Sequence, residues 1–165
     1  MKHFVGRTQN NLPVYVDLFQ SEAAKHISRQ PYLLTLAAEA LRRTTLDKLI
    51  VDLEYDMGRV IGYDFVVKTT DADTVFYVQL VHDSIYTRFI KNGKPLPTQY
   101  VSIVLQRAEK DTHYSLQDIW IGSHTPPRPG SDAETAESNA YWEDHAFVFE
   151  NQPVQLRTLT KTRPY

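Results

Sequence analysis

An α+β fold, with one antiparallel sheet of about five strands covered by N-terminal helices, is what the sequence predicts from three observations. Leu33, Leu36, Ala37, Ala40 and Leu41 recur at i, i+3, i+4, i+7 and i+8, which draws one apolar stripe along a helix. Five β-branched and aromatic runs of strand length follow: Val60 to Val67, Thr74 to Val81, Ile85 to Ile90, Tyr100 to Leu105 and Tyr114 to Ile121. The connections between them are too short to hold a helical crossover, so the strands are expected to pair as an antiparallel meander.

Each element has its own local signal. Ser21 before Glu22-Ala23-Ala24-Lys25 is a helix start, and Pro31 suits the first position of a second helix, Tyr32 to Arg43. Within the strands, Ile61, Tyr63, Phe65 and Val67 fall on one face, as do Phe76, Val78 and Leu80, and Val101, Ile103 and Leu105. Asp56-Met57-Gly58 and Asn92-Gly93 are turn chemistry, while Pro95 and Pro97 lack amide donors and mark an edge or a loop. The segment Gly122 to Gly130, with Pro126, Pro127 and Pro129, reads as a stiff loop. Ser131-Asp132-Ala133-Glu134 is a capping-box pattern, so a further helix is expected to start there. The tail, Pro153 to Tyr165, alternates Val154 and Leu156 against Gln155 and Arg157 and is compatible with one more strand.

Composition bounds the answer. The chain has 165 residues, 42% hydrophobic and 23% charged, which fits a single domain over 1–165 with enough length to bury a core without disulfides. With no cysteine, thiolate nucleophiles, cysteine-bound zinc and iron–sulfur clusters are excluded. No apolar run reaches the roughly 20 residues that cross a bilayer, and 1–7 has no apolar leader core, so no membrane partner and a cytoplasmic location are expected. The formal charge of −2 argues against a generally basic nucleic-acid binder. It is unevenly spread, because Asp132, Glu134, Glu137, Glu143, Asp144 and Glu150 share a stretch with no lysine or arginine.

Six histidines offer acid–base chemistry near neutral pH. His82 continues the Phe76, Val78, Leu80 register at a strand end, His113 precedes the last strand, and His124 follows it between Ser123 and Thr125. If two such imidazoles meet, they form a base and an acid, with Arg59, Arg88 or Arg128 holding a phosphate and Ser123 and Thr125 offering hydrogen bonds. Such a set suits metal-independent cleavage of RNA and needs no cofactor. The plain alternative is a histidine with an ordinary surface hydrogen bond, and Arg88 paired with Asp83 or Glu109. A different chemistry comes from Asp52, Glu54 and Asp56, which alternate onto one strand face and are of the residue type that holds Mg²⁺, although a half-buried strand shows water the same pattern. Glu143-Asp144-His145 offers ligand types too, but adjacent side chains normally point apart. Phosphate-binding glycine loops and the Gly-x-Ser-x-Gly elbow are absent from the chain.

The phrases Asp56 to Tyr63, Tyr86 to Phe89, Tyr114 to Gly122, Pro126 to Gly130 and Tyr141 to Ala146 resemble a bacterial family of hypothetical proteins over residues 56 to 146. The order of helices, then meander, with histidines near strand ends, is also similar in topology to the small RNase toxins grouped with barnase, EndoU, colicin RNases and RelE. That likeness implies an endoribonuclease and transfers no catalytic residue. Two function classes follow: a toxin-like endoribonuclease with His82 or His113 as base, His124 as acid and Arg88 and Arg128 on phosphate, or a non-enzymatic adaptor or inhibitor whose acidic segment, 131 to 150, binds a basic protein partner.

Overall fold

Alternation along each strand decides which side is buried, and in the computed structural model it builds two compact units, Met1–Tyr63 with Pro97–His124 and Asp64–Leu96 with Thr125–Tyr165. The structure describes residues 2–80, 84–91, 93–148 and 156–160, with the backbone alone for 80 and 156–160.

In the first unit, β1 (Lys2–Arg7) and β2 (Pro13–Asp17) form a hairpin that the sequence reading did not anticipate. Its turn is held by Thr8, whose amide donates to the Leu12 carbonyl at 2.9 Å, and by Asn11 at a φ of 66°. Two helices follow, α1 (Glu22–Arg29) and α2 (Leu33–Arg42). Ser21 caps α1 by accepting from the Ala24 amide at 3.1 Å. No side chain caps α2, so it depends on packing: Leu33, Leu36, Ala37, Ala40 and Leu41 are all buried, as their spacing predicts. They cover a sheet whose inward residues are Val14 and Val16 of β2, Val101, Ile103 and Leu105 of β9 (Tyr100–Gln106), and Tyr114, Leu116 and Ile119 of β10 (Tyr114–Ile121). The buried Tyr114 donates its hydroxyl to the Lys48 carbonyl at 2.6 Å, which satisfies the one polar group it carries inward. At Gly6 a β-carbon would stand 3.3 Å from the Ala38 Cα, so the absence of a side chain lets α2 press onto β1. The last strand of this sheet is β3 (Ile50–Asp56), where Val51, Leu53 and Tyr55 face the core and Asp52, Glu54 and Asp56 face away, as alternation requires.

The strand order is β1-β2-β10-β9-β3, antiparallel except for β2 and β10, which run parallel. A two-stranded ladder of β4 (Gly62–Asp64) and β8 (Leu96–Thr98) contains two of the chain's three passages between units.

The second unit has the order β12-β6-β7-β11-β5, made of β5 (Val66–Lys68), β6 (Val75–Leu80), β7 (Tyr86–Ile90), β11 (His145–Val148) and β12 (Leu156–Thr160). Here β7 and β11 are parallel and the other pairs antiparallel. One face carries Val67, Val75, Ile90, Ala146 and Val148. The other carries stacked rings, Phe76 on Phe89 at 5.8 Å and Phe147 on Trp142 at 5.4 Å, beneath α3 (Ala136–Asp144). Gly130 takes a φ of +86° and passes so close to the Ser84 carbonyl that a β-carbon there would collide with it.

The expected single antiparallel meander is therefore corrected: the fold is α+β, but its strands divide among several sheets and the two larger ones are mixed. Alternation specifies a strand's buried side and says nothing of its partner, and both parallel pairs join strands far apart in sequence. The run Val60 to Val67 is likewise two strands, because the Asp64 carboxylate accepts the Val66 amide at 3.0 Å and turns the chain at Phe65. The helix expected from Ser131 starts one turn later. Ser131 donates to the Arg128 carbonyl in a turn, and the capping box is formed by Thr135 and Ser138 instead.

Candidate functional site

Among the residues expected to act on RNA, His82 lies outside the described residues. His113 and His124 flank β10 at its two ends, and eight residues at about 3.3 Å each put roughly 25 Å of strand between them, so they do not form one acid–base pair. His113 stands edge-on to Tyr15, ring centroids 5.6 Å apart. His124 leans on Trp120 at 5.0 Å, its amide donates to Glu54 Oε2 at 3.1 Å, and its ring nitrogens lie 3.9 Å from Glu54 and from Asp52. Two carboxylates beside an imidazole repel phosphate, which makes this an adverse place for an RNA backbone. Ser123 contributes its carbonyl to the Trp120 indole at 3.2 Å. Arg59 is engaged with both oxygens of Glu39, each at 2.9 Å, and that hydrogen bonding holds the Glu39 carboxyl below its usual range and raises Arg59. Asp52, Glu54 and Asp56 do share an outward face, yet no three His, Asp or Glu side chains among the described residues are arranged to hold a metal ion.

The second unit places Arg88, Thr125 and Arg128. Thr125 is exposed. Arg88 donates through one terminal nitrogen to Thr69 Oγ1 at 2.9 Å and to the His145 carbonyl at 3.1 Å, while its Nε is buried without a partner. Arg128 donates to Thr87 Oγ1 at 2.7 Å. Thr87 and Arg88 are consecutive in a regular strand and point to opposite faces, so the two guanidiniums do not converge on one phosphate.

A histidine outside that expectation is better placed. Since β7 and β11 run parallel with Phe89 opposite Phe147, Thr87 is level with His145, and His145 in turn faces Lys68 of β5. Thr87, His145 and Lys68 form a row across three strands on one face, with Arg128 anchored at one end and the Lys68 ammonium at the other. The His145 ring stacks on Tyr141 with centroids 3.8 Å apart and planes 7° from parallel. Its Nδ1 lies 2.7 Å from Asp144 Oδ1 and 2.9 Å from the Tyr141 carbonyl. Both neighbours only accept, so Nδ1 carries the proton and Nε2 keeps the lone pair of the neutral ring. Lys68 Nζ is 3.9 Å from the other Asp144 oxygen.

The sequence reading set Asp144 and His145 aside because neighbours in one regular element diverge. They meet because α3 ends at Asp144 and β11 begins at His145, so the backbone changes direction between them. The helix pattern running straight into a β-type run, with no turn residue between, is the signal that exposes such a pair. A second imidazole–carboxylate pair, His26 Nδ1 to Asp118 at 2.9 Å, joins α1 to β10 across 92 residues in the first unit and has no sequence signature. The acidic segment is partly spent internally: Glu134 accepts from the Gly130 amide and the Asn139 side chain, and Asp144 serves His145.

Fold and site together define an α+β protein with mixed sheets and a histidine–aspartate pair flanked by cations. Comparison with protein-family models, with curated proteins and with solved structures gives no match. No helix among the described residues is long and apolar enough to cross a membrane.

Proposed function

We propose that the protein is a metal-independent endoribonuclease whose base is His145. The observation that carries this reading is the imidazole itself, fixed through Nδ1 by Asp144 and the Tyr141 carbonyl, with Arg128 and Lys68 on either side of it in the strand row. His145 Nε2 takes the proton of a ribose 2′-hydroxyl and the 2′-oxygen attacks phosphorus. The bond to the 5′-oxygen breaks, and the Lys68 ammonium supplies the proton that the leaving oxygen needs. Arg128 stabilises the charge gathered on the phosphoryl oxygens. The products are a 2′,3′-cyclic phosphate and a free 5′-hydroxyl. Arg88 is a positioning residue, because it holds the His145 carbonyl from the opposite face. The adaptor alternative has less support, since Glu134 and Asp144 of the acidic segment are committed to local hydrogen bonds.

The test is incubation of the purified chain with RNA in EDTA, with end-group analysis of the products. His145→Ala is expected to lower the cleavage rate by about 100-fold or more, the usual contribution of a positioned acid or base. His113→Ala and His124→Ala should leave the rate within a small factor of the parent. His82→Ala is included because a comparable loss there would make His82 the acid in place of Lys68. RNA left intact by the parent chain refutes the reading, and a requirement for a divalent ion replaces it with the Asp52, Glu54, Asp56 alternative.

A further inference from the structure

We infer that the cleft between β2 and β10 of the first unit binds a small polyhydroxylated ligand carrying one anionic group, of the sugar-phosphate or sugar-acid class. This is independent of the RNA reading, which concerns the second unit. The cleft opens where a parallel pair parts. β2 and β10 are paired only at Val14 with Tyr114 and Tyr15 with Ser115, after which the register of β10 on β9 shifts between Leu116 and Asp118. β2 then runs into α1. β2 ends there at Asp17 while β10 runs on to Ile121, so the edge of β10 loses its neighbour and the gap between them is left open. The space is about 200 Å³ and is lined among others by Lys2, Asp17, Gln20, Ser21, Ser115 and Gln117. That is room for one sugar ring.

The lining divides into groups that are spent and groups that are not. Asp17 Oδ1 accepts from the Phe19 amide at 2.8 Å and the Gln20 amide at 3.1 Å, and Ser21 Oγ donates to the Asp17 carbonyl while capping α1. The side chains of Lys2, Gln20, Ser115 and Gln117, by contrast, make no hydrogen bond among the described residues. Two carboxamides and a hydroxyl that both donate and accept match vicinal hydroxyls, whose groups do the same. The Lys2 ammonium, which also helps draw the Asp17 carboxyl below its usual value, sets the ligand's charge, and Asp17, already held by two amides, supplies structure and not recognition.

Amide NMR of the whole chain, titrated in parallel with ribose 5-phosphate, ribonate, ribose and inorganic phosphate, tests this. Saturable shifts confined to residues 15–21 and 115–118 are expected with ribose 5-phosphate or ribonate, in the millimolar range typical of so small a ligand. Whichever of the two binds more tightly identifies phosphate or carboxylate as the anionic group. Ribose and phosphate alone should each bind tenfold or more weakly. Lys2→Met should remove the preference for the charged sugar, and Gln117→Ala should weaken charged and neutral sugars alike, with spectra elsewhere unchanged to show the fold is intact. The His26 ring, whose partner Asp118 follows Gln117 in the chain, gives a further reporter. No saturable shift at these amides, an equal response to phosphate alone, or parent-like binding by both variants overturns the proposal.

Discussion

The two units solve the same packing problem with different materials. In the first, an uncapped helix contributes leucines and alanines to a broad aliphatic core shared with valines and isoleucines from four strands. In the second, the buried aliphatic cluster is Val67, Ile90, Ala146 and Val148, and the opposite face is closed by rings, with Trp142 of α3 buried against Phe147 and its indole donating to the Pro126 carbonyl at 3.1 Å. Aliphatic layers tolerate small rearrangements among interchangeable neighbours, whereas a ring stack concentrates burial in a few large side chains. The first unit is therefore expected to lose stability in small steps along its helix, and the second to depend on single residues.

Removing residues 1–43 should have the largest effect, because it takes away β1, β2 and both helices that cover the first sheet. Loss of cooperative melting is expected by calorimetry, and a soluble truncation that still melts cooperatively breaks the comparison. Trp142→Ala should cost about 3–5 kcal/mol, read by denaturant unfolding, against about 2–5 kcal/mol for Leu36→Ala, the ranges usual for such truncations. Hydrogen exchange sharpens the contrast if the first loosens amides of β7 and β11 and the second those of β9 and β10. Ser21→Ala should cost only about 1 kcal/mol, as the loss of a helix cap does. The smallest effect is in acid. Asp17 is held below its usual value chiefly by the Phe19 amide, and Glu39 by Arg59. A carboxyl lowered on folding adds stability that is present above its unfolded value and lost as pH falls through the folded one, so both contributions begin to fall as pH drops into the ordinary carboxyl range of about 4 and are gone only below the lowered folded values. Glu39→Gln should lower the neutral-pH plateau of the first unit's stability slightly and flatten its acid limb by the same amount, with no change at the acid end.

What could be read from the sequence differs by kind of information. The alternation of β3, the buried side of β9 and the stripe of α2 are one-dimensional patterns, and all three appear where the spacing puts them, whereas β10 carries a bulge between Leu116 and Asp118 that moves its buried side from Leu116 to Ile119. The β1–β2 hairpin was missed because Val14 and Val16 are too few to draw a pattern by themselves. Strand partners were missed because the Tyr15 to Ser115 pairing depends on a parallel alignment that no local residue specifies. The site divides in the same way. Arg128 was singled out from its stiff loop, but its bond to Thr87 and the row through His145 to Lys68 belong to the pairing of three strands. His145 itself was hidden by the rule that neighbours diverge, which fails where helix gives way to strand in one step.

The strand order of the first sheet also constrains how the molecule is made on the ribosome. β10 lies in the middle of β1-β2-β10-β9-β3, yet it is the last of the five to be synthesised. Until residue 121 emerges, the β1–β2 hairpin and the β3–β9 pair each wait with an open edge, that of β2 and that of β9, and the intervening segment that builds much of the other unit is already outside the exit tunnel. Closure is therefore a late insertion between two waiting halves, so a pause in translation shortly before β10 prolongs the interval in which those edges can pair with another chain.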